Sequence, residues 1–370
     1  MNRKTISLAV ALAAAVALLA GGLPEQKSAP LPPTAARPAL AQAWPDAARA
    51  DLRDLGLEPL LFLDVTTAVG TADTSDGQHT RLIIKYAEKS GKGGVSGGGP
   101  SGGNPDGGRE RELRRLPADS RFDNLTKAGN ELLWTETGES GGTEIWALDL
   151  TADENPRRLT GDTGNILLYG GQHDLVTAGG RVHWAAADGD STTEIRSVAL
   201  TGGAVTTETR KGQWALAAWP WLTSDVGGQA GEITLHNLES GEEKRITAGP
   251  AEWTMCTPAW CRVMVNNGEG LARIDLMRPD GSERRRIAGP GTQAAVNDIA
   301  VLDRFEILSE TRPDSDLTGT AGLVVHDVRT QRTVTLSVAA DLAASRDGML
   351  WWSTGDREAT VWHTLDLRTV

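Results

Sequence analysis

Apolar and polar positions keep one recurring order from Glu131 to Val370. An apolar segment is followed by a short polar or glycine-containing turn. A second segment then ends in Leu-Asp-Leu or a near equivalent, and an arginine-rich segment closes in Leu-Thr or Ile-Ala-Gly. The clearest copy runs Glu131-Leu-Leu-Trp134, then Thr143-Glu-Ile-Trp-Ala-Leu-Asp-Leu150, then Arg157-Arg-Leu-Thr-Gly161. The Leu-Asp-Leu-type segments start at Leu82, Ile145, Ile195, Ile233, Leu271, Leu323 and Val361, between 38 and 63 residues apart. That is the spacing of propeller blades with loop insertions. Alternation with period two, as at the start of Ile233-Thr-Leu-His-Asn-Leu238, predicts half-buried strands. Pro279-Asp-Gly281, Glu239-Ser-Gly241 and Asn266-Asn-Gly268 supply the turns between them.

Repeats of this kind stack around a shared core, so a chain of 370 residues need not divide into several domains. The predicted fold is all-β: a propeller of six or seven four-stranded blades spanning 56–370. Inner strands, which must be small where blades converge, are expected at Asp174–Ala178, Trp214–Ala218, Asn297–Val301 and Asp341–Ser345. The last copy ends at Leu365-Asp-Leu367 with no room for an outer strand, and the first lacks a convincing inner strand. This mismatch predicts a ring closed by one blade built from both chain ends, which protects its edges.

Upstream of the repeats the pattern changes. Arg3 and Lys4 precede an uncharged, alanine- and leucine-rich run from Ile6 to Leu23, so residues 1–23 read as a signal peptide or an N-terminal membrane anchor. No cysteine stands directly after that run, which excludes a lipidated anchor. Residues 24–55 read as a Pro/Ala-rich tether ending in a short helix at Pro45–Leu55, with Pro45 at its start and Asp46 favouring its N-terminal dipole. Residues 90–108 read as a disordered glycine-rich insertion within a hairpin. They lack the Gly-Lys-Ser or Gly-Lys-Thr ending of a phosphate-binding loop.

The blade phrase then becomes specific. Gly142-Thr-Glu-Ile-Trp-Ala-Leu-Asp-Leu150 with Arg157-Arg-Leu-Thr160, and Ile274-Asp-Leu-Met-Arg-Pro-Asp-Gly281 with Arg285-Arg-Ile287, resemble the blades of TolB-type, WD-repeat-like β-propellers. The chain also resembles exported proteins of this kind from high-GC Gram-positive bacteria. The family's Ser-Pro-Asp-Gly turn has its nearest counterpart in Ser345-Arg-Asp-Gly348. The resemblance implies an extracytoplasmic, non-catalytic scaffold, secreted or anchored by its N-terminal segment. It would present loops such as Ser309–Thr320 and Ser224–Gly231 at one propeller mouth to a protein, a peptide or a cell-envelope glycan. The competing reading is a propeller enzyme, lactonase-like or sugar-dehydrogenase-like, with a carboxylate or calcium site at that mouth.

Composition narrows these readings. A net charge of −12 argues against a nucleic-acid partner, because phosphate binding needs a basic face. Contact with a membrane is expected only through the N-terminal segment. The six histidines are scattered, with no pair at metal-ligand spacing, and Gly-x-Ser-x-Gly strings such as Gly138–Gly142 are not followed by the helix that a nucleophile elbow needs. No catalytic, cofactor or metal residue is therefore assigned. The acidic loops at Asp73–Asp76, Asp188–Asp190 and Asp314–Asp316 offer the oxygen ligands calcium takes, but none completes a calcium-loop motif.

The only cysteines, Cys256 and Cys261, flank a Pro-containing turn and read in an exported protein as a local disulfide. Twelve tryptophans against three phenylalanines and two tyrosines suit the gaps between twisted sheets. Trp219, Trp221, Trp351 and Trp352 are the candidate ligand-stacking residues, because alternation sends one of each close pair away from its own sheet's core.

Overall fold

Seven antiparallel sheets follow one another along the chain in the computed structural model, which describes residues 37–87, 109–139, 141–152, 154–224, 231–268, 270–356 and 359–370. The expected signal or anchor, most of the tether and the glycine-rich insertion lie outside the described residues. From the innermost strand outwards, blade 1 comprises Glu58–Phe62, Thr67–Asp73, His79–Tyr86 and Glu110–Pro117. Blade 2 comprises Arg121–Ala128, Glu131–Thr137, Thr143–Asp149 and Arg157–Thr160. Blade 3 has a divided inner strand, Asn165–Ile166 and Val176–Ala178, then Arg181–Ala187, Thr192–Ala199 and Thr206–Lys211.

Blade 4 is Ala215–Ala218, Trp221–Thr223, Glu232–Asn237 and Glu243–Thr247, and blade 5 is Glu252–Cys256, Cys261–Asn266, Leu271–Met277 and Arg285–Ala288. Blade 6 is Thr292–Ala294, Phe305–Glu310, Ala321–Asp327 and Arg332–Ala340. Blade 7 takes Ala343–Arg346, Met349–Thr354 and Val361–Asp366 from the C-terminal end and its outer strand, Arg49–Arg53, from the N-terminal side. The protein is thus an all-β, seven-bladed propeller, closed by both ends as the incomplete first and last copies require.

Closure also corrects the helix expected over Pro45–Leu55. Arg49–Arg53 pairs with Val361–Leu365, from Arg49↔Leu365 to Arg53↔Val361. Arg49, Asp51 and Arg53 alternate with Ala50 and the buried Leu52, and Leu52 packs with Leu55, Met349 and Trp351 between blades 7 and 1. Period-two burial against an existing edge outweighs the helix-start signal of Pro45-Asp46. Among the described residues the only helix nearby is the single turn Leu40–Ala43. The propeller therefore begins before residue 56.

A second correction concerns blade 6. Its inner strand is Thr292–Ala294, whereas Asn297–Val301 is a loop leading into a turn in which Ala300, Leu302 and Asp303 take left-handed backbone. Blade 1 does have an inner strand, Glu58–Phe62, bulged between Pro59 and Leu61 where it meets the next strand.

Tryptophans occupy the gaps between blades. Trp134 and Trp184 are fully buried, and their indole N–H groups donate to Glu136 Oε1 at 2.9 Å and to the Thr163 carbonyl at 2.9 Å. His236, His326 and His363 all sit on third strands, so their recurrence follows from the repeat itself.

Candidate functional site: a plugged channel and the cleft beside it

The divided inner strand of blade 3 releases a nine-residue loop, 167–175, from the wall of the central channel. Its hydrogen bonds identify where it goes. The amide of Gln172 donates to Asp298 Oδ1 (3.1 Å), Asn297 Nδ2 donates to the Tyr169 carbonyl (3.2 Å), and Arg346 Nη1 donates to the Gly171 carbonyl (2.9 Å). Asn297 and Asp298 belong to blade 6 and Arg346 to blade 7. In a ring of seven, both blades are the farthest from blade 3, three positions away in either direction. The loop therefore crosses the channel and plugs it.

Its own geometry is fixed by Asp174, whose Oδ2 accepts the amides of Tyr169 (2.8 Å), Gly170 (2.7 Å) and Gly171 (3.2 Å). Burial raises the Asp174 carboxyl above its ordinary value, opposed by those amides and by Arg346. Burial also lowers the neighbouring His173, with Asp298 opposing and Arg346 reinforcing the shift.

The blade 6 loop that receives the plug is anchored from below. Arg262, 2% exposed, pairs through Nε with Glu306, 0% exposed. Its other nitrogens donate to the carbonyls of Val296 (3.3 Å), Asn297 (3.4 Å) and Asp298 (2.7 Å). Glu306 Oε2 accepts the Ala300 amide at 2.8 Å, and Trp260 Nε1 donates to the Asp303 carbonyl at 3.0 Å. These partners hold the left-handed turn, whose backbone costs roughly 1–2 kcal/mol at each such residue.

The plug separates two cavities. On the blade 6 and 7 side lies one of about 230 Å³, with Ser345, Arg346 and Trp351 in its wall. On the other side a cleft of about 400 Å³ opens between blades 4 and 5. Ala215, Leu216 and Ala217 floor it, Met255, Met264 and Ile299 add apolar surface, and Tyr169 and Trp253 stand at its rim. Trp253 is 53% exposed, unusual for an indole in a protein whose tryptophans are mostly packed. Asp174 and Asp298 supply the charge in the wall, and among the described residues no Lys or Arg lines the cleft. The size and the mix of apolar floor with few polar groups are those of a small-ligand site.

The sequence-singled tryptophans lie elsewhere. Trp351 and Trp352 are both buried. Trp351 packs on Phe62 at 5.5 Å between ring centroids, and Trp352 stacks on His363 at 5.3 Å. Strand alternation does send them to opposite faces, but each face of a blade is covered by a neighbour. Trp219 and Trp221 are half-buried. Trp219 lies against His183 at 3.7 Å, and Trp221 lies under Lys244 Nζ at 4.6 Å.

Cys256 and Cys261 form the expected disulfide, directly opposite each other across the first hairpin of blade 5, and Cys256 lies in the cleft wall. Among the described residues, no three His, Cys, Asp or Glu side chains gather to hold a metal. No described helix is long and apolar enough to cross a membrane.

No protein-family model matches the sequence, and no curated protein matches it either. Solved structures do resemble it. An uncharacterised protein from Listeria monocytogenes is 9% identical with a TM-score of 0.50, over 81% of this chain and 90% of that one. The β-propeller domain of the Trilobed protease from Pyrococcus furiosus is 10% identical with a TM-score of 0.44, over 66% and 82%. An oligogalacturonate lyase in complex with manganese is 13% identical with a TM-score of 0.46, over 80% and 81%. At such identities the likeness is one of fold alone.

Proposed function

We propose that the protein is an exported, non-catalytic binding scaffold of the TolB-type propeller kind, which holds a protein, a peptide or a cell-envelope glycan at the plugged end of its channel. The observation that carries this reading is the cleft beside the plug. It has a rigid floor of inner strands, an exposed indole at its rim and a plug tied to the far side of the ring. Preorganised walls of this sort bind at low entropic cost. The Cys256–Cys261 disulfide fits an oxidising compartment, which supports the exported half of the reading.

The test is a binding screen of the full chain against short peptides and envelope-glycan fragments, repeated with Trp253→Ala. A ligand that binds the native chain and loses about tenfold in affinity on removal of the indole supports the reading, since one stacking contact is worth about 1 kcal/mol or more. Ligands bound equally well by the variant would place the site elsewhere. Cell fractionation checks the rest: full-length chain found in the cytoplasm removes the exported location.

A further inference from the structure

Resting on that binding reading, we infer that the cleft between blades 4 and 5 is a cation site. Its ligand is a small organic ammonium ion on an apolar or aromatic body, taken up with its charge towards Asp298 and Asp174 and its body against Trp253, Tyr169 and the Ala215–Ala217 floor.

Three observations converge on that class. The first is charge. Among the described residues the cleft wall holds two aspartates and no Lys or Arg. Two guanidinium groups stand behind that wall: Arg346 lines the other cavity and is directed at the Gly171 carbonyl on the plug, and Arg262, paired with the buried Glu306, is directed at the carbonyls of Asn297 and Asp298. Asp298 accepts one hydrogen bond on each oxygen, from the Gln172 amide and from Ser345 Oγ (3.1 Å). A carboxylate offers about four acceptor positions, so capacity remains for an ammonium N–H.

The second is the rim. Trp253 and Tyr169 are 53% and 43% exposed, and indole and phenol faces attract a cation by their quadrupoles. The third is the floor, where alanine, leucine, isoleucine and two methionines accept hydrocarbon and offer no donor to an anion. A carboxylate ligand meets two like charges.

The test uses the full chain and three probes of matched shape: phenethylammonium, 2-phenylethanol and phenylacetate, titrated by calorimetry. The ammonium is expected to bind about tenfold more tightly than the alcohol, and phenylacetate more weakly than either. Raising NaCl from about 0.05 to about 0.5 M is expected to weaken the ammonium severalfold and leave the alcohol unchanged, because salt screens partly exposed charge pairs. Asp298→Asn is expected to remove most of the preference for the amine, whereas Trp253→Ala weakens amine and alcohol together.

Equal binding of alcohol and amine, tighter binding of phenylacetate, or amine binding indifferent to salt overturns the inference. The salt experiment needs no variant, so a poorly folded Asp298→Asn chain leaves the decision intact. Should the amine fail while a peptide or glycan still binds through Trp253, the cation site is wrong and the scaffold reading stands. Should no ligand respond to Trp253, the scaffold reading fails with it.

Discussion

Arg262 shows how one side chain supports a site it does not touch. Its guanidinium is buried against Glu306 and also donates to three consecutive carbonyls of the loop that receives the plug. Replacing it with leucine leaves a carboxylate with no exposure and no counter-charge, and strips the three carbonyls of their donor. Arg262→Leu is therefore expected to cost about 3–5 kcal/mol in urea unfolding, the range for breaking a buried pair from one side. A loss below about 1 kcal/mol would contradict this role.

His173 gives the corresponding pH dependence. Burial holds it below its ordinary value near 6.5, so between that value and its folded one the unfolded chain binds more protons than the native chain. Stability contributed by neutral His173 is thus present above pH 6.5 and is lost as the pH falls below it. Buried His183 acts in the same direction. Asp174, raised by burial, acts oppositely at lower pH, where the native carboxyl takes up its proton first. The melting temperature is expected to fall between pH 7.5 and 5.5, with a shallower fall in His173→Gln. Identical slopes in the two chains would show that His173 carries none of it.

Elements differ in how plainly the sequence announces them. The blades are legible because each repeats its own alternation and turn chemistry: Glu131–Thr137 and Thr143–Asp149 are recognisable from residue order alone. Cys256 and Cys261 are legible because a short turn brings them opposite each other. Arg49–Arg53 is hidden, because its pairing partner lies some 300 residues away and Pro45-Asp46 imitates a helix start. The plug is hidden for another reason. A strand interrupted by nine residues has no period to detect, and contacts such as Asn297 to Tyr169 depend on which blades oppose each other in a closed ring.

Trp253 left a weaker trace. In Glu252-Trp-Thr-Met-Cys256 the fully buried Thr254 faces one side, and Trp253 and Met255 share the other. That places an indole and a thioether on the open side of an innermost strand. Reading them as a site requires knowing that the inner strand faces a channel.

At the scale of the whole molecule, stability depends on closing the ring. The closure includes a ladder of five residue pairs between Arg49–Arg53 and Val361–Leu365. Beyond it, Ala48 and the C-terminal segment exchange two bonds, from the Ala48 amide to Thr369 Oγ1 and from the Asp366 amide to the Ala48 carbonyl, both 2.9 Å. His363 Nδ1 meets Asp51 Oδ1 at 2.7 Å, and Leu52 and Leu55 are buried in the cluster shared by blades 7 and 1.

Removing residues 1–55 takes away that outer strand and both leucines, worth about 1.5–3 kcal/mol each in burial alone, and leaves Val361–Asp366 as an open edge. A chain starting at Gly56 is expected to melt about 10 °C or more below one starting at Arg37, since a domain of this size shifts by roughly 2 °C per kcal/mol. It is also expected to aggregate through the exposed edge. A synthetic peptide of residues 45–57, added in trans, should restore part of the loss by refilling the edge of blade 7. Equal melting of the two chains would mean that the C-terminal strands hold the ring without their partner.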